Sequence, residues 1–168
     1  MKQWRHTARF LALSAALACA KPVAAPEPGA VAAEYAAQER WPEASREIEL
    51  AIRREPADAA LRLQAASIYR RSGSPDDAIR HLEAALQIEP SNPEIWIELG
   101  DVEKGRENIQ DAYVAYRRAA DLAPDDLRAV SGLALTADTL GFDAEAEAAY
   151  RRWSDLENGV TPPPSPGD

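Results

Sequence analysis

Residues 93–126 read PEIWIELGDVEKGRENIQDAYVAYRRAADLAPDD, and the chain repeats the pattern of this stretch at a spacing of 34 residues. Prolines stand in register at Pro56, Pro90 and Pro124. Five positions before each lies an alanine (Ala51, Ala85, Ala119), and eight before lies a large residue (Ile48, Leu82, Tyr116). Twelve positions before, alanine returns at Ala44, Ala78 and Ala112. A fixed period of this length means one supersecondary unit used repeatedly, each stacked on the next because none can bury its apolar face alone. No stretch alternates apolar and polar residues with period two, so helices with almost no strand are expected.

The punctuation within each unit agrees. Ser74-Pro75-Asp76-Asp77 predicts a helix start, with Ser74 as cap and acids in the first turn. Ser91-Asn92-Pro93-Glu94 predicts another, with Pro93 at the tolerated first position. Gly73 and Gly141 fall at inter-helix turns, where a left-handed backbone is useful. Ala66 and Gly100 on the first helix of a unit let it approach Ala78 and Ala112 on the second; a larger side chain there overpacks the crossing, typically at about 1–3 kcal/mol. Leu82 and Tyr116 are the knobs that fill the space between one hairpin and the next.

These residues resemble the tetratricopeptide repeat, in four units covering 25–58, 59–92, 93–126 and 127–160. In the third, Trp96, Leu99, Gly100, Ala112, Tyr116, Ala119 and Pro124 occupy seven of eight signature positions, and Glu103 stands where tyrosine is usual. In the second, Ala66, Tyr69, Ala78, Leu82, Ala85 and Pro90 fit, while Arg62 replaces the tryptophan-like residue. The fourth has Leu133, Ala134, Ala146 and Tyr150, then Trp153 in place of alanine and Asn158 in place of proline. The first has Val31, Ala32, Tyr35, Ala44, Ile48, Ala51 and Pro56. The resemblance implies an all-α fold, a right-handed α-solenoid of about four helix-turn-helix hairpins, whose first helices line a concave face.

Carrying over the family's groove positions gives Leu63, Ser67, Arg70 and Arg71 from the second repeat. The third gives Ile97, Asp101 and Lys104, and the fourth Ser131, Leu135 and Asp138. The first offers only Gly29, Ala33, Ala36 and Ala37. An apolar floor at Leu63, Ile97 and Leu135, with charges of both signs around it, suits an extended or helical peptide with apolar anchors. The lysine–asparagine pattern with which co-chaperone repeats of the family clamp an acidic tail is absent, since Leu63, Ser67, Ile97 and Asp101 hold those positions.

The amino terminus follows a different pattern. Lys2, Arg5 and Arg9 precede an uncharged run from Phe10 to Ala18, which fits a signal-peptide core and is too short to span a bilayer. Ala16-Leu17-Ala18-Cys19 resembles a bacterial lipobox, with Ala16 where leucine is usual, and makes Cys19 a lipidation candidate. Ala18-Cys19-Ala20 also suits ordinary signal cleavage, and a third reading leaves Cys19 as one small apolar residue of the run. If the lipid is attached, Ala20 lacks the aspartate that resembles an inner-membrane retention signal, which points to the outer membrane. The resulting plan is a signal peptide at 1–18, a proline- and alanine-rich tether at 19–29, a repeat domain at 30–158 and a disordered proline-rich tail at 159–168.

The net charge of −9 repels nucleic-acid phosphates at long range and disfavours nucleic-acid binding. Cys19 is the lone cysteine, and the two histidines, His6 and His81, belong to no metal-ligand spacing; His81 is expected on a solvated helix face. No catalytic, metal or cofactor motif is found. The expected function is a non-catalytic protein-interaction scaffold of the bacterial cell envelope, lipid-anchored at the outer membrane and facing the periplasm. It would position a protein or peptide partner in assembly of an envelope complex. Two alternatives stand beside it: a structural homo-oligomer through a C-terminal ledge of Tyr150, Trp153 and Leu156, and a soluble periplasmic chaperone-like binder.

Overall fold

The computed structural model describes Glu27 and residues 29–160, and the secondary structure among them is helical throughout. Eight helices run in order: α1 (Ala30–Ala37), α2 (Trp41–Arg54), α3 (Ala59–Arg71), α4 (Pro75–Ile88), α5 (Pro93–Gly105), α6 (Ile109–Leu122), α7 (Leu127–Thr139) and α8 (Asp143–Glu157). The period is kept to the residue: α3, α5 and α7 begin and end 34 positions apart, and α2, α4, α6 and α8 begin 34 positions apart.

Each first helix from α3 onward is started by a side chain at the same repeat position. Asp58 accepts from the Ala60 and Leu61 N–H groups, Asn92 from Glu94, and Asp126 from Arg128 and Ala129. These caps satisfy donors that a helix start leaves orphaned. Ser74 stands at the N-cap of α4 as expected, but its side chain makes no cap bond; Pro75 at the first position and the acids Asp76 and Asp77 open that helix instead. The turns inside the hairpins pass through left-handed backbone at Glu39, Gly73, Glu107 and Gly141, again 34 residues apart. Gly73 and Gly141 do so without steric cost, whereas the two glutamates crowd their own Cβ.

Two helices pack into each hairpin, and hairpins join through α2–α3, α4–α5 and α6–α7 contacts. First helices also touch one another, α3 to α5 and α5 to α7, while no comparable contact joins α4 to α6 or α6 to α8. The stack therefore bends with the first helices inside and the second helices splayed outside. Alanines at 44, 78 and 112 are fully buried, which allows the close crossings the sequence predicted.

Tyr116 occupies the tightest of these crossings. Its ring lies between the backbones of Gly100 on α5 and Gly132 on α7: a Cβ added to Gly100 would meet the ring at 2.7 Å, and one added to Gly132 at 2.5 Å. The hydroxyl donates to Asp101 at 2.5 Å. Burial, and then that bond, push the phenol well above its usual range. Tyr116 thus bridges two hairpins as expected, and Leu82, also fully buried, belongs to a cluster drawn from α3, α4 and α5.

Arg62, the departure in the second repeat, does the work of Trp96. Trp96 Nε1 donates to the carbonyl of Pro90 at 2.9 Å, and Arg62 Nη2 donates to the carbonyl of Pro56 at 2.8 Å, one period earlier. His81 departs from expectation. It is 6% exposed, not solvated, because α4 turns it into the space between α2 and α4. There its ring stacks on Tyr69, with centroids 5.2 Å apart, and Nε2 lies 3.1 Å from Glu49 Oε1 without hydrogen-bond alignment. Burial pulls the imidazole below its ordinary value of 6.5, more than the nearby Glu49 carboxylate raises it. Tyr69, buried and donating to Glu49 at 3.0 Å, is pushed up to about 12.

Gly132→Ala should lower stability by about 1–3 kcal/mol in urea unfolding, outweighing the helix propensity that alanine adds, because Gly100 blocks retreat of the ring. Adding Tyr116→Leu should make the combined loss smaller than the sum of the single losses. His81 predicts a pH effect whose sign follows from its lowered value. As pH falls through 6.5 the unfolded chain takes up a proton that the folded chain refuses. Stability should fall until the folded imidazole itself protonates, then level. Urea midpoints at pH 7.5, 6.5 and 5.5 should decline less for His81→Gln than for the parent chain.

Candidate functional site

The inner face of the bend carries a charged network built on α3, α5 and α7. Arg70 Nε reaches from α3 to Glu98 Oε1 on α5 at 2.7 Å. From the other side, Arg128 on α7 donates to Glu94 Oε1 at 2.5 Å and to Asp101 Oδ2 at 3.0 Å, and lies 3.8 Å from Glu98 Oε2. Lys104 Nζ is 3.8 Å from Asp101 and sits over the Tyr116 ring. The Glu98 side chain is only 6% exposed, and two guanidiniums face it. A buried carboxylate is tolerable only with such compensation. Burial lowers the Arg128 pKa, but its bonds to Glu94 and Asp101 outweigh that and raise it.

The network means that the middle of this face is electrically satisfied from within. The amino-terminal part is more open. A trough of about 200 Å³ lies between α1 and α3, walled by Ala33, Ala37, Gln64, Ser67 and Arg71. Arg71 is exposed, its guanidinium 5.0 Å above the Trp41 ring. Gln64 closes the trough's outer end by donating to the Gly29 carbonyl at 2.9 Å. At the carboxyl-terminal end Leu135 is 44% exposed, Asp138 is exposed and accepts from the Tyr150 hydroxyl at 3.3 Å, and Ser131 is half-buried.

The groove positions taken from the resemblance divide accordingly. Ser67, Arg70, Arg71, Asp101, Lys104, Ser131, Leu135 and Asp138 all keep some solvent access on this face. Ile97 does not. It is fully buried among Ala112, Tyr116, Ala119, Ala129 and Val130, and cannot floor a groove. Leu63 is half-buried against the second core cluster. Ile97 is covered because it packs under residues of α6 and α7, whereas Leu63 and Ser131, at the same repeat position, stay half-buried. The apolar floor expected from Leu63, Ile97 and Leu135 therefore loses Ile97 and keeps a half-buried Leu63 and an exposed Leu135. The residues that sequence reasoning missed are Gln64, Glu94, Glu98 and Arg128. One signal was available: Glu94 and Arg128 hold the same position in successive repeats with opposite charge.

The C-terminal ledge is partly covered. Trp153 and Leu156 pack against the α5–α6–α7 cluster, and Tyr150 stacks on Trp153 with centroids 6.1 Å apart. Among the described residues no three His, Cys, Asp or Glu side chains converge on a metal-holding arrangement, and no helix is long and apolar enough to cross a membrane. Cys19, the expected signal peptide at 1–18 and residues 161–168 of the expected tail lie outside the described residues.

A family model described as the tetratricopeptide repeat matches residues 59–102. The peroxisomal targeting signal receptor of Komagataella phaffii is 34% identical over 71 residues, 42% of this chain and 12% of that protein. The PEX5-related protein of Homo sapiens is 35% identical over 75 residues, 45% of this chain and again 12% of that protein. The match thus spans about one eighth of the length of these relatives. Among solved structures, a crystal structure of MamA superposes with a TM-score of 0.70 at 22% identity, covering 77% of this chain and 75% of that one. The first repeat domain of Spaghetti (RPAP3), bound to the HSP90 peptide SRMEEVD, gives 0.62 at 20% identity, covering 66% and 87%. With hairpins recurring at 34 residues and caps and turns in register, the chain has the fold of a tetratricopeptide-repeat solenoid, and the family match itself covers the second unit and the start of the third.

Proposed function

We propose that this chain is a non-catalytic scaffold that holds a segment of a partner protein along its inner face. The observation that carries this reading is the uneven finish of that face. Its centre is locked by Arg70, Glu98, Arg128 and Asp101, while its two ends offer an unfilled trough beside Arg71 and an exposed Leu135. A peptide lying along it would anchor an apolar side chain at Leu135 and a carboxylate or carbonyl at Arg71, with the ion network as a stiff floor. The peptide-bound state of the RPAP3 repeat domain supports a peptide as the kind of ligand.

The cellular setting comes from the amino terminus. A basic stretch, an apolar run and the Ala16–Cys19 segment support an envelope protein anchored through Cys19, facing the periplasm from the outer membrane and positioning a partner during assembly of an envelope complex. The half-buried packing of Trp153 and Leu156 favours a cap on the stack over a self-association surface.

Photo-cross-linking residues placed at Ser67 and Leu135 should yield partner adducts in cells, and one placed at exposed Gln87 on α4 should yield none of the same mass. Adducts from Gln87 alone would remove the inner-face reading. Wild-type chain should incorporate labelled fatty acid and sediment with membranes, and Cys19→Ser should lose both. A variant that stays membrane-bound, or a wild type that takes up no label, ends the lipoprotein assignment.

A further inference from the structure

The splayed second helices leave three equivalent grooves on the outer face, each floored by a first helix, and the repeat lets them be compared position by position. The groove between α2 and α4 is filled from within. Tyr69 and the buried His81 stack in it, and the Tyr69 hydroxyl donates to Glu49. The floor of the groove between α6 and α8 is filled as well, although an open space of about 420 Å³ remains beside the plug, against Tyr113, Phe142 and Glu145. Tyr113, 6% exposed, packs with Ala137 and Leu133, and its hydroxyl donates to Glu145 at 2.6 Å. Each plug is an aromatic ring whose hydroxyl ends on a carboxylate.

The groove between α4 and α6 has no such plug. Where the first groove has Tyr69 and His81, this one has Glu103 and Ala115; where the third has Tyr113, this one has Ile79. A space of about 300 Å³ remains, with Ile79, Trp96, Leu99 and Val114 on its apolar wall. Val114, 53% exposed, replaces the arginines at the same position in the first two repeats. Trp96 is held in place by its bond to the Pro90 carbonyl. Glu103 also lines the space, its carboxylate accepting from Asn108 at 2.8 Å with Arg106 beside it.

Both acceptor positions nonetheless survive. Glu83 is the counterpart of Glu49, and Asp111 is the counterpart of Glu145. The hydroxyls of Tyr69, Tyr113, Tyr116 and Tyr150 are committed to Glu49, Glu145, Asp101 and Asp138, so neither carboxylate of the middle groove receives one. The middle groove keeps one acceptor from each neighbour, Glu83 matching Glu49 and Asp111 matching Glu145. Its wall of Ile79, Trp96, Leu99 and Val114 is more apolar than the first groove's Ser45, Arg62, Ala65 and Arg80, and no aromatic donor fills it.

We propose that the groove between α4 and α6 is a second binding site, which takes a tyrosine side chain, flanked by basic residues, from a segment of a partner protein. The ring would fill the space against Trp96 and Leu99, the hydroxyl would donate to Glu83 or Asp111, and the flanking cations would offset the two acids. This site is separate from the inner face and stands or falls independently of it.

The test titrates the full-length ¹⁵N-labelled chain with acetyl-Arg-Tyr-Lys-amide and with its phenylalanine and alanine counterparts, following the Trp96 indole resonance. The tyrosine peptide should move that resonance saturably, the phenylalanine peptide should bind about tenfold more weakly, and the alanine peptide should not bind. Glu83→Gln with Asp111→Asn should erase the tyrosine preference. Glu103→Tyr with Ala115→His, which rebuilds the plug of the first groove, should abolish binding; if that pair fails to fold, the amide pair alone decides. Equal shifts from all three peptides, a preference surviving in the amide variant, or a Trp96 resonance that moves with protein concentration alone (a second copy as occupant) would each overturn the proposal.

Discussion

A single aromatic ring held between two glycines sets the geometry of the middle of this molecule. Tyr116 can lie flat between α5 and α7 only because Gly100 and Gly132 present bare backbone to it. Interiors are packed to near-crystalline density, so the ring acts as a spacer of fixed thickness. It joins the third hairpin to the fourth, and its hydroxyl reaches Asp101, which Arg128 also holds. The same residue therefore fixes the core spacing and orients one carboxylate of the inner face. Core and surface are mechanically coupled there, not layered independently.

The repeat period was legible because every element that closes a hairpin recurs by residue type. Alanines at the close crossings, prolines after the second helices and glycines at two of the turns each reflect a backbone requirement that few side chains meet. The caps at Asp58 and Asp126 could have been read the same way, since Asn92 marks their common position. Glu39 and Glu107 could not, because nothing in a glutamate announces a left-handed turn; only the period places them there. The inner face was harder. Family positions indicate which side of a helix points inward, but not how far the next hairpin covers it, and Ile97 disappeared under that cover. His81 was misjudged for a related reason: its sequence neighbours are polar, while the residues that bury it, Tyr69 and Glu49, come from two other helices.

Departures from the repeat pattern proved as informative as agreement with it. Arg62 preserves the bond to the preceding proline carbonyl with different chemistry. Trp153, where alanine is usual, packs down on a stack that has no further described hairpin to cover it. Glu103, where tyrosine is usual, removes the ring that would close the outer groove beside it. Each substitution alters one contact and leaves the spacing of helices intact, as expected when stability is distributed over neighbouring units.

The internal pairing of the inner face has a consequence for speed. Opposite charges placed within a few ångströms of each other cancel at distances beyond the screening length, about 8 Å in physiological salt. An approaching chain would sense the overall acidity of the body but little local field from Arg70, Arg128, Glu98 or Asp101. Encounter with that face should therefore proceed near the unsteered rate of about 10⁵–10⁶ M⁻¹s⁻¹. Discrimination between ligands then falls to how long each stays, once its side chains have found the ends of the groove.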